Sequence, residues 1–348
     1  MSVLYKERNP IFDVAKALMM LWVIWGHLSL YNVIEPVTSV YMLNAKIGVN
    51  MPVFFVIGGF LAATTFATAD WSKLIARSVL FVWPQFIFTM IYWGVIVLIG
   101  GIGAFSWTMR MWFLHTYAVI YFLSAIVFRV ADTDKKRWLL FAVLYGAMLF
   151  WPSRFHVSWL GQVIHMFPYF VFGLMCLRKK SLYLDGWIAC CCGALFFLFV
   201  FFQGDSRMNG MNFWTVNANW QVVFSSWHNS LTFVARSVVG ITGSLFLLFL
   251  INMVIGAIPW LARLSVFGTT SLGIYVMHEY PLYVLGRHCP IVPLPTWCRW
   301  VVALLCFLLC HWIVAFLKRN YPSRVVFFGD EALLANGFRR LMRLGKMR

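Results

Sequence analysis

Charge is what this sequence has least of. Only 11% of its 348 residues are Asp, Glu, Lys or Arg, and just 11 are acidic, whereas 62% are hydrophobic. Soluble domains carry about 25% charged residues, so composition excludes a soluble globular protein and leaves an integral membrane protein. No stretch between the apolar runs is long and polar enough to form a soluble domain. His-x-x-x-His and His-x-His pairs are lacking, and the 8 cysteines follow no metal-ligand spacing. Cys190–Cys191–Cys192 point around a helix and cannot converge on one ion, so no metal is expected. A cleavable signal is lacking too: the first apolar run is too long and carries Asp13 and Lys16, which makes it a retained span. The one disulfide left open is Cys289–Cys298, in an outward loop.

What is present is a series of apolar runs of span length. Ten are counted, at about 10–31, 46–68, 78–100, 111–129, 138–152, 159–177, 187–203, 231–254, 264–286 and 298–317. The fold class expected is all-α: a polytopic integral membrane protein with about ten transmembrane helices. With the N-terminus inside, about twenty of the cations fall on inner segments and about six on outer ones. Cytoplasmic loops collect Lys and Arg, so both termini are expected in the cytoplasm. The formal charge of +17 follows from that topology and gives no reason to invoke nucleic acid. In the tail, Val325 to Leu344 alternate apolar residues with cations, the pattern of a helix lying along the inner membrane surface. The longest outer connection, about 204–230, is rich in Asn and Trp and reads as a surface or binding segment.

Polar residues are scarce enough inside the runs to be followed individually. Lys16 and His27 are separated by ten apolar or small residues. Eleven steps of about 100° return to within roughly 20° of the starting direction while rising about 16 Å. Lys16 and His27 therefore share one stripe at two depths, with Asp13 a turn below. Orientation puts His27, His115 and the pair His278–Glu279 in the outer halves of three different spans. Ionisable groups there are costly unless they meet a partner or a wet cavity. A carboxylate such as Glu279, accepting from one ring nitrogen, leaves the other basic, which is what a general base needs to take a proton from a hydroxyl. In the second run, Pro52 and Gly58–Gly59 predict a kink and a close approach by a neighbour. Lys73 and Arg77, four apart before Pro84, make a cationic face that could hold phosphate; taken as residues alone, they are better explained as ordinary inner-side charge.

These pieces resemble the membrane acyltransferase 3 family, especially its fucose 4-O-acetylase-like branch. The matching residues are Phe12–Asp13–Val14–Ala15–Lys16 with Gly26–His27, then Met51–Pro52–Val53–Phe54–Phe55 with Gly59–Phe60–Leu61. Trp112–Phe113–Leu114 and Ile274–Tyr275–Val276–Met277–His278 follow in the family's order. Two positions depart from the pattern: Gly58 stands where the family usually has Ser, and Leu80 replaces the second Arg of an Arg-x-x-Arg that here keeps only Arg77.

The resemblance implies transfer of an acyl group, usually acetyl, from cytosolic acyl-CoA to a sugar hydroxyl. His27 is then the catalytic histidine and Lys16 the basic residue associated with the CoA end. The residues themselves add Glu279 as the group orienting His27, and Lys73 and Arg77 as cations near the CoA phosphates. Trp112, His115 and His278 fall to the acceptor or oxyanion side. An acylated His27 intermediate stays open as an alternative. Acetyl-CoA is expected as the donor substrate, with no metal, and the acceptor is expected to be a cell-surface or lipid-linked carbohydrate. On this reading, residues 1–317 form the acyltransferase domain in a bacterial inner membrane, and 318–348 form a basic tail. A transporter or flippase for a polar lipid or sugar, its path lined by the polar stripe, remains the competing class.

Overall fold

The computed structural model describes residues 9–30, 40–98, 112–150, 158–177, 181–202, 227–288 and 296–345. Among them every regular element is a helix. In chain order these are α1 (Pro10–Leu30), α2 (Val40–Thr68), α3 (Trp71–Leu98), α4 (Trp112–Val130), α5 (Asp134–Leu149), α6 (Ser158–Met175), α7 (Ser181–Leu184) and α8 (Gly186–Phe202). The long α9 (Trp227–Ala257) leads through a 3₁₀ turn (Pro259–Leu264) to α10 (Ser265–Gly268), α11 (Ser271–Met277) and α12 (Glu279–His288). Then come α13 (Thr296–Arg319), α14 (Tyr321–Phe328) and α15 (Glu331–Gly345). Most of the outer Asn- and Trp-rich segment, residues 204–226, lies outside the described residues, its last four residues opening α9; Cys289, with the disulfide left open for it, lies outside them too.

Among the described residues, six helices are long and apolar enough to cross a membrane, at Pro10–Leu28, Gly48–Thr68, Trp71–Ile91, Trp112–Val130, Phe233–Ala257 and Trp297–Arg319. The other four apolar runs take different forms. Leu160–Met175 and Gly186–Phe201 are shorter apolar helices. The 16 residues of α5 rise about 24 Å at 1.5 Å each, short of a hydrocarbon core about 30 Å thick.

The run at 264–286 is broken twice. The hydroxyls of Thr269 and Thr270 donate back to the carbonyls of Val266 (2.7 Å) and Phe267 (2.9 Å), a local bonding that competes with helix propagation. Further on, Pro281 has no N–H and so sits in the first turn of α12; the hydrogen-bonded helix is interrupted before it at His278, whose backbone stays in the right-handed helical region.

The helices divide into two compact units. The first comprises Met1–Phe54, Lys179–Ser206 and Val238–Ala315. Its core gathers Phe12, Ala15, Ile24, Trp25 and Leu28 from α1 with Ile274, Val276 and Leu282. The segment from Pro259 to Met277 packs along α1. Gly268 lies so close that a Cβ there would overlap the carbonyl of Asp13.

The second unit comprises Phe55–Arg178, Arg207–Ser237 and Phe316–Arg348. Here α2 and α6 meet through reciprocal glycines: a Cβ at Gly59 would strike the Phe170 carbonyl, and one at Gly173 the Val56 carbonyl. Small residues let membrane helices approach to backbone contact, which is what the Gly pair in α2 predicts; Gly58 makes room for the Tyr117 ring.

The tail is part of this unit's packing, since α14 and α15 both lie against α3. Trp83 Nε1–H donates to the Val326 carbonyl at 2.8 Å, and the Phe88 ring meets Phe327 and Phe328. Gly329 turns the chain between α14 and α15 at φ 75°, a left-handed conformation that favours glycine. Leu80 occupies the space where a Cβ would stand. Leu80 is the residue found in place of the family's second Arg, and here it packs the tail. Along α15, Leu333, Leu341 and Met342 are exposed, as is Arg340.

Candidate active site

Within the first unit, α1 carries the polar stripe. Its start is fixed by Asn9, whose side-chain oxygen accepts from the Ile11 N–H at 3.0 Å. The side chains of Lys16 and Asp13 pair at 2.6 Å, 18% and 5% exposed respectively. The cation is thus neutralised within its own helix, one turn down. Eleven residues further on, His27 is half-buried near the helix end, and Trp25 beside it stacks on Trp300 with ring centres 5.3 Å apart.

The ring opposite His27 is His278. Its position follows from the two breaks described above, which bring the end of α11 alongside the end of α1. Nδ1 of His27 lies 2.8 Å from Nε2 of His278, and the rings stack with centres 4.9 Å apart. On its far side, His278 Nδ1 lies 2.6 Å from the Tyr275 carbonyl oxygen. A carbonyl only accepts, so Nδ1 of His278 carries the proton and donates it there. In the neutral pair Nε2 of His278 is then the acceptor, Nδ1–H of His27 donates to it, and Nε2 of His27 bears the lone pair. One backbone carbonyl thereby dictates the tautomer of both rings. Glu279, 3% exposed, belongs to the same cluster: a carboxylate oxygen and one nitrogen of each ring all lie within 4.8 Å of one another.

The remaining expected site residues are in the second unit. Lys73 and Arg77 sit in the first two turns of α3, which begins seven residues earlier than its apolar run suggests. Asp70 caps that helix, accepting from the Lys73 N–H at 2.9 Å, the usual role of an N-cap carboxylate. This backbone bond, seconded by Arg339 at 3.1 Å, holds the Asp70 carboxyl below its ordinary range. Arg77 donates to Glu331 of the tail at 2.9 Å and to Thr65 Oγ1, while Lys73 approaches the same carboxylate at 4.0 Å. Trp112 is buried near the start of α4. His115, a turn along, receives an N–H from the Gln85 amide at 3.3 Å on Nδ1, so its own proton sits on Nε2. That Nε2 is buried and has no hydrogen-bond partner among the described residues.

Three further polar residues are not singled out by the sequence reading, and two of them, Gln85 and Glu331, touch expected site residues. Gln85 follows Pro84 in α3 and is fully buried; an amide within an apolar run was the signal available. Glu331 lies in the tail, and only the fold reveals that it meets α3. Arg236 is 3% exposed in α9, with Tyr169 Oη donating to its carbonyl at 3.1 Å. A lone arginine inside an apolar run is itself a functional flag.

No curated protein and no solved structure matches the chain. Residues 9–316 match the family described as the acyltransferase domain, a region that includes the stripe on α1, the His27–His278 pair and both cations of α3. The chain therefore belongs to this family of membrane acyltransferases.

Proposed function

We propose that the protein is an O-acyltransferase of the fucose 4-O-acetylase-like branch. It moves an acyl group, acetyl in the simplest case, from cytosolic acyl-CoA to a hydroxyl of a cell-surface or lipid-linked carbohydrate. The observation carrying this reading is the chain Tyr275 carbonyl–His278–His27, which leaves the lone pair of His27 on Nε2. A ring held in that tautomer by a hydrogen bond on its other nitrogen is the form that accepts a proton from an attacking alcohol.

In this reading His27 Nε2 takes the hydroxyl proton as the acceptor oxygen attacks the thioester carbonyl. The thiolate of CoA leaves, and the proton passes to it or to solvent. The positive charge that builds on His27 is relayed toward His278 and balanced by Glu279. Lys73 and Arg77 pair with CoA phosphates in place of Glu331; Lys16, ion-paired with Asp13 in α1, keeps the CoA-end role that the family resemblance implies. His115, with its proton on Nε2, is an available donor, and it and Trp112 keep the acceptor or oxyanion assignment. The setting is a bacterial inner membrane, with both termini cytoplasmic and the weaker apolar runs completing ten membrane-embedded segments.

The test is acetyl transfer by purified protein in detergent from labelled acetyl-CoA to sugar acceptors. Mass spectrometry of surface glycans from cells with and without the protein identifies the acceptor. His27→Ala is expected to lower transfer about 10²- to 10⁴-fold, the usual worth of a general base. Full transfer by that variant would refute the assignment.

A further inference from the structure

We infer that His27, His278 and Glu279 also form an inhibitory site for a divalent cation of the Zn²⁺ class. The inhibitory role rests on the base function proposed above; the binding does not. Two imidazole nitrogens and a carboxylate oxygen within 4.8 Å of one another are a recognised zinc donor set. Their positions in the sequence, 27 against 278 and 279, give no local spacing by which such a site announces itself.

The surroundings favour an ion in three ways. The Tyr275 carbonyl holds the proton of His278 on Nδ1, turning the Nε2 lone pair inward; metal-bound histidines are oriented by such a bond on the other nitrogen. His278 and Glu279 are buried, so a carboxylate and a cation attract through little intervening water. His27 is half-buried, leaving a side from which a water or substrate oxygen supplies the fourth ligand. Zn–N bonds of about 2.0–2.1 Å at a tetrahedral angle place two nitrogens roughly 3.4 Å apart. The present 2.8 Å separation therefore has to open by about half an ångström, with the ion replacing the proton shared between the rings.

That proton decides the consequence. Coordination through Nδ1 of His27 requires Nδ1 to give it up, and the change that releases nothing to solvent moves it to Nε2 of the same ring. Nε2–H has no lone pair with which to accept a proton from an alcohol. Ion and base therefore exclude each other.

The test uses the full-length protein in detergent, freed of metal by chelator and titrated with ZnCl₂ by calorimetry. One Zn²⁺ per chain is expected. Glu279→Gln and His278→Ala should each weaken binding by more than the roughly 10- to 100-fold that loss of an outer-shell partner costs, in variants whose elution and helical circular dichroism match the wild type. Absence of one-to-one binding, or affinity unchanged in both variants, would overturn the site. Should either variant aggregate, Co²⁺ bound to the wild type decides: intense visible bands of a four-coordinate ion are expected, and weak bands or none would overturn it. Acetyl transfer is read separately. Zn²⁺ should abolish it and chelator restore it; transfer unaffected at saturating Zn²⁺ would refute inhibition. Binding without any transferase activity would instead fault the function proposed above and leave the ion site standing.

Discussion

Gly268 and Asp13 touch through their backbones, with the Asp13 carbonyl occupying the space a Cβ of residue 268 would need. Ten residues after Gly268 comes His278, and fourteen after Asp13 comes His27. The contact thus anchors the lower end of a short parallel pairing whose upper end is the histidine dyad. Gly268→Ala forces the backbones apart, and overpacking of this kind costs about 1–3 kcal/mol. The variant is expected to unfold at lower temperature in detergent. Its remaining folded fraction should transfer acyl groups more slowly, because His278 no longer reaches His27. A wild-type thermal transition would show that the two segments do not meet in this way.

The role assigned to His278 is to position His27 by accepting its Nδ1–H, not to touch the acceptor. Truncation to Ala removes that acceptor and lets the His27 ring turn; a misplacement of about 1 Å can cost on the order of 10²-fold in rate. The expected loss is in kcat, with KM for acyl-CoA little changed. His278→Gln should recover part of it, since its side-chain amide carries an oxygen that can accept the same hydrogen bond. Equal loss in Ala and Gln variants, or a loss confined to KM, would contradict the positioning role.

How far the sequence reveals the site depends on the range over which each contact is set. The stripe joining Asp13, Lys16 and His27 is legible because it is fixed by the period of one helix, and the Asp13–Lys16 pair appears where that period puts it. That His278 and Glu279 matter is legible from the rarity of acids in the apolar runs. Which of the two meets Nδ1 of His27 is not legible, because it depends on two breaks in the run at 264–286 and on packing against α1. The apolar run itself suggests one continuous helix; the Thr269 and Thr270 hydroxyls and Pro281 decide otherwise. Gly58–Gly59 foretells a close approach, yet only the fold shows that the neighbours are Tyr117 and the backbone of α6. The partner of Arg77 was hidden for the same reason: Glu331 lies 254 residues away, in a tail whose pattern of apolar residues and cations also fits a membrane surface.

That pairing gives the last prediction. Glu331 occupies the guanidinium of Arg77 at 2.9 Å and lies within 4.0 Å of the Lys73 ammonium, the two cations proposed to receive CoA phosphates. Donor and tail carboxylate then compete for one charge. Glu331 is 30% exposed and Arg77 34%, so their pair is of the half-solvated kind worth at most about 1 kcal/mol. Removing the carboxylate with Glu331→Gln should lower KM for acyl-CoA about two- to fivefold at low salt and leave kcat unchanged. Arg77→Ala removes a charge-assisted bond of about 1.5–3 kcal/mol to phosphate and should raise the same KM about 10- to 100-fold. Combining the two changes discriminates competition from simple packing: with Arg77 gone, the benefit of Glu331→Gln should shrink toward what Lys73 alone can give. If Glu331→Gln raised KM instead, the carboxylate would be holding Arg77 in its binding position, and the tail would be a support for the donor site and not its rival.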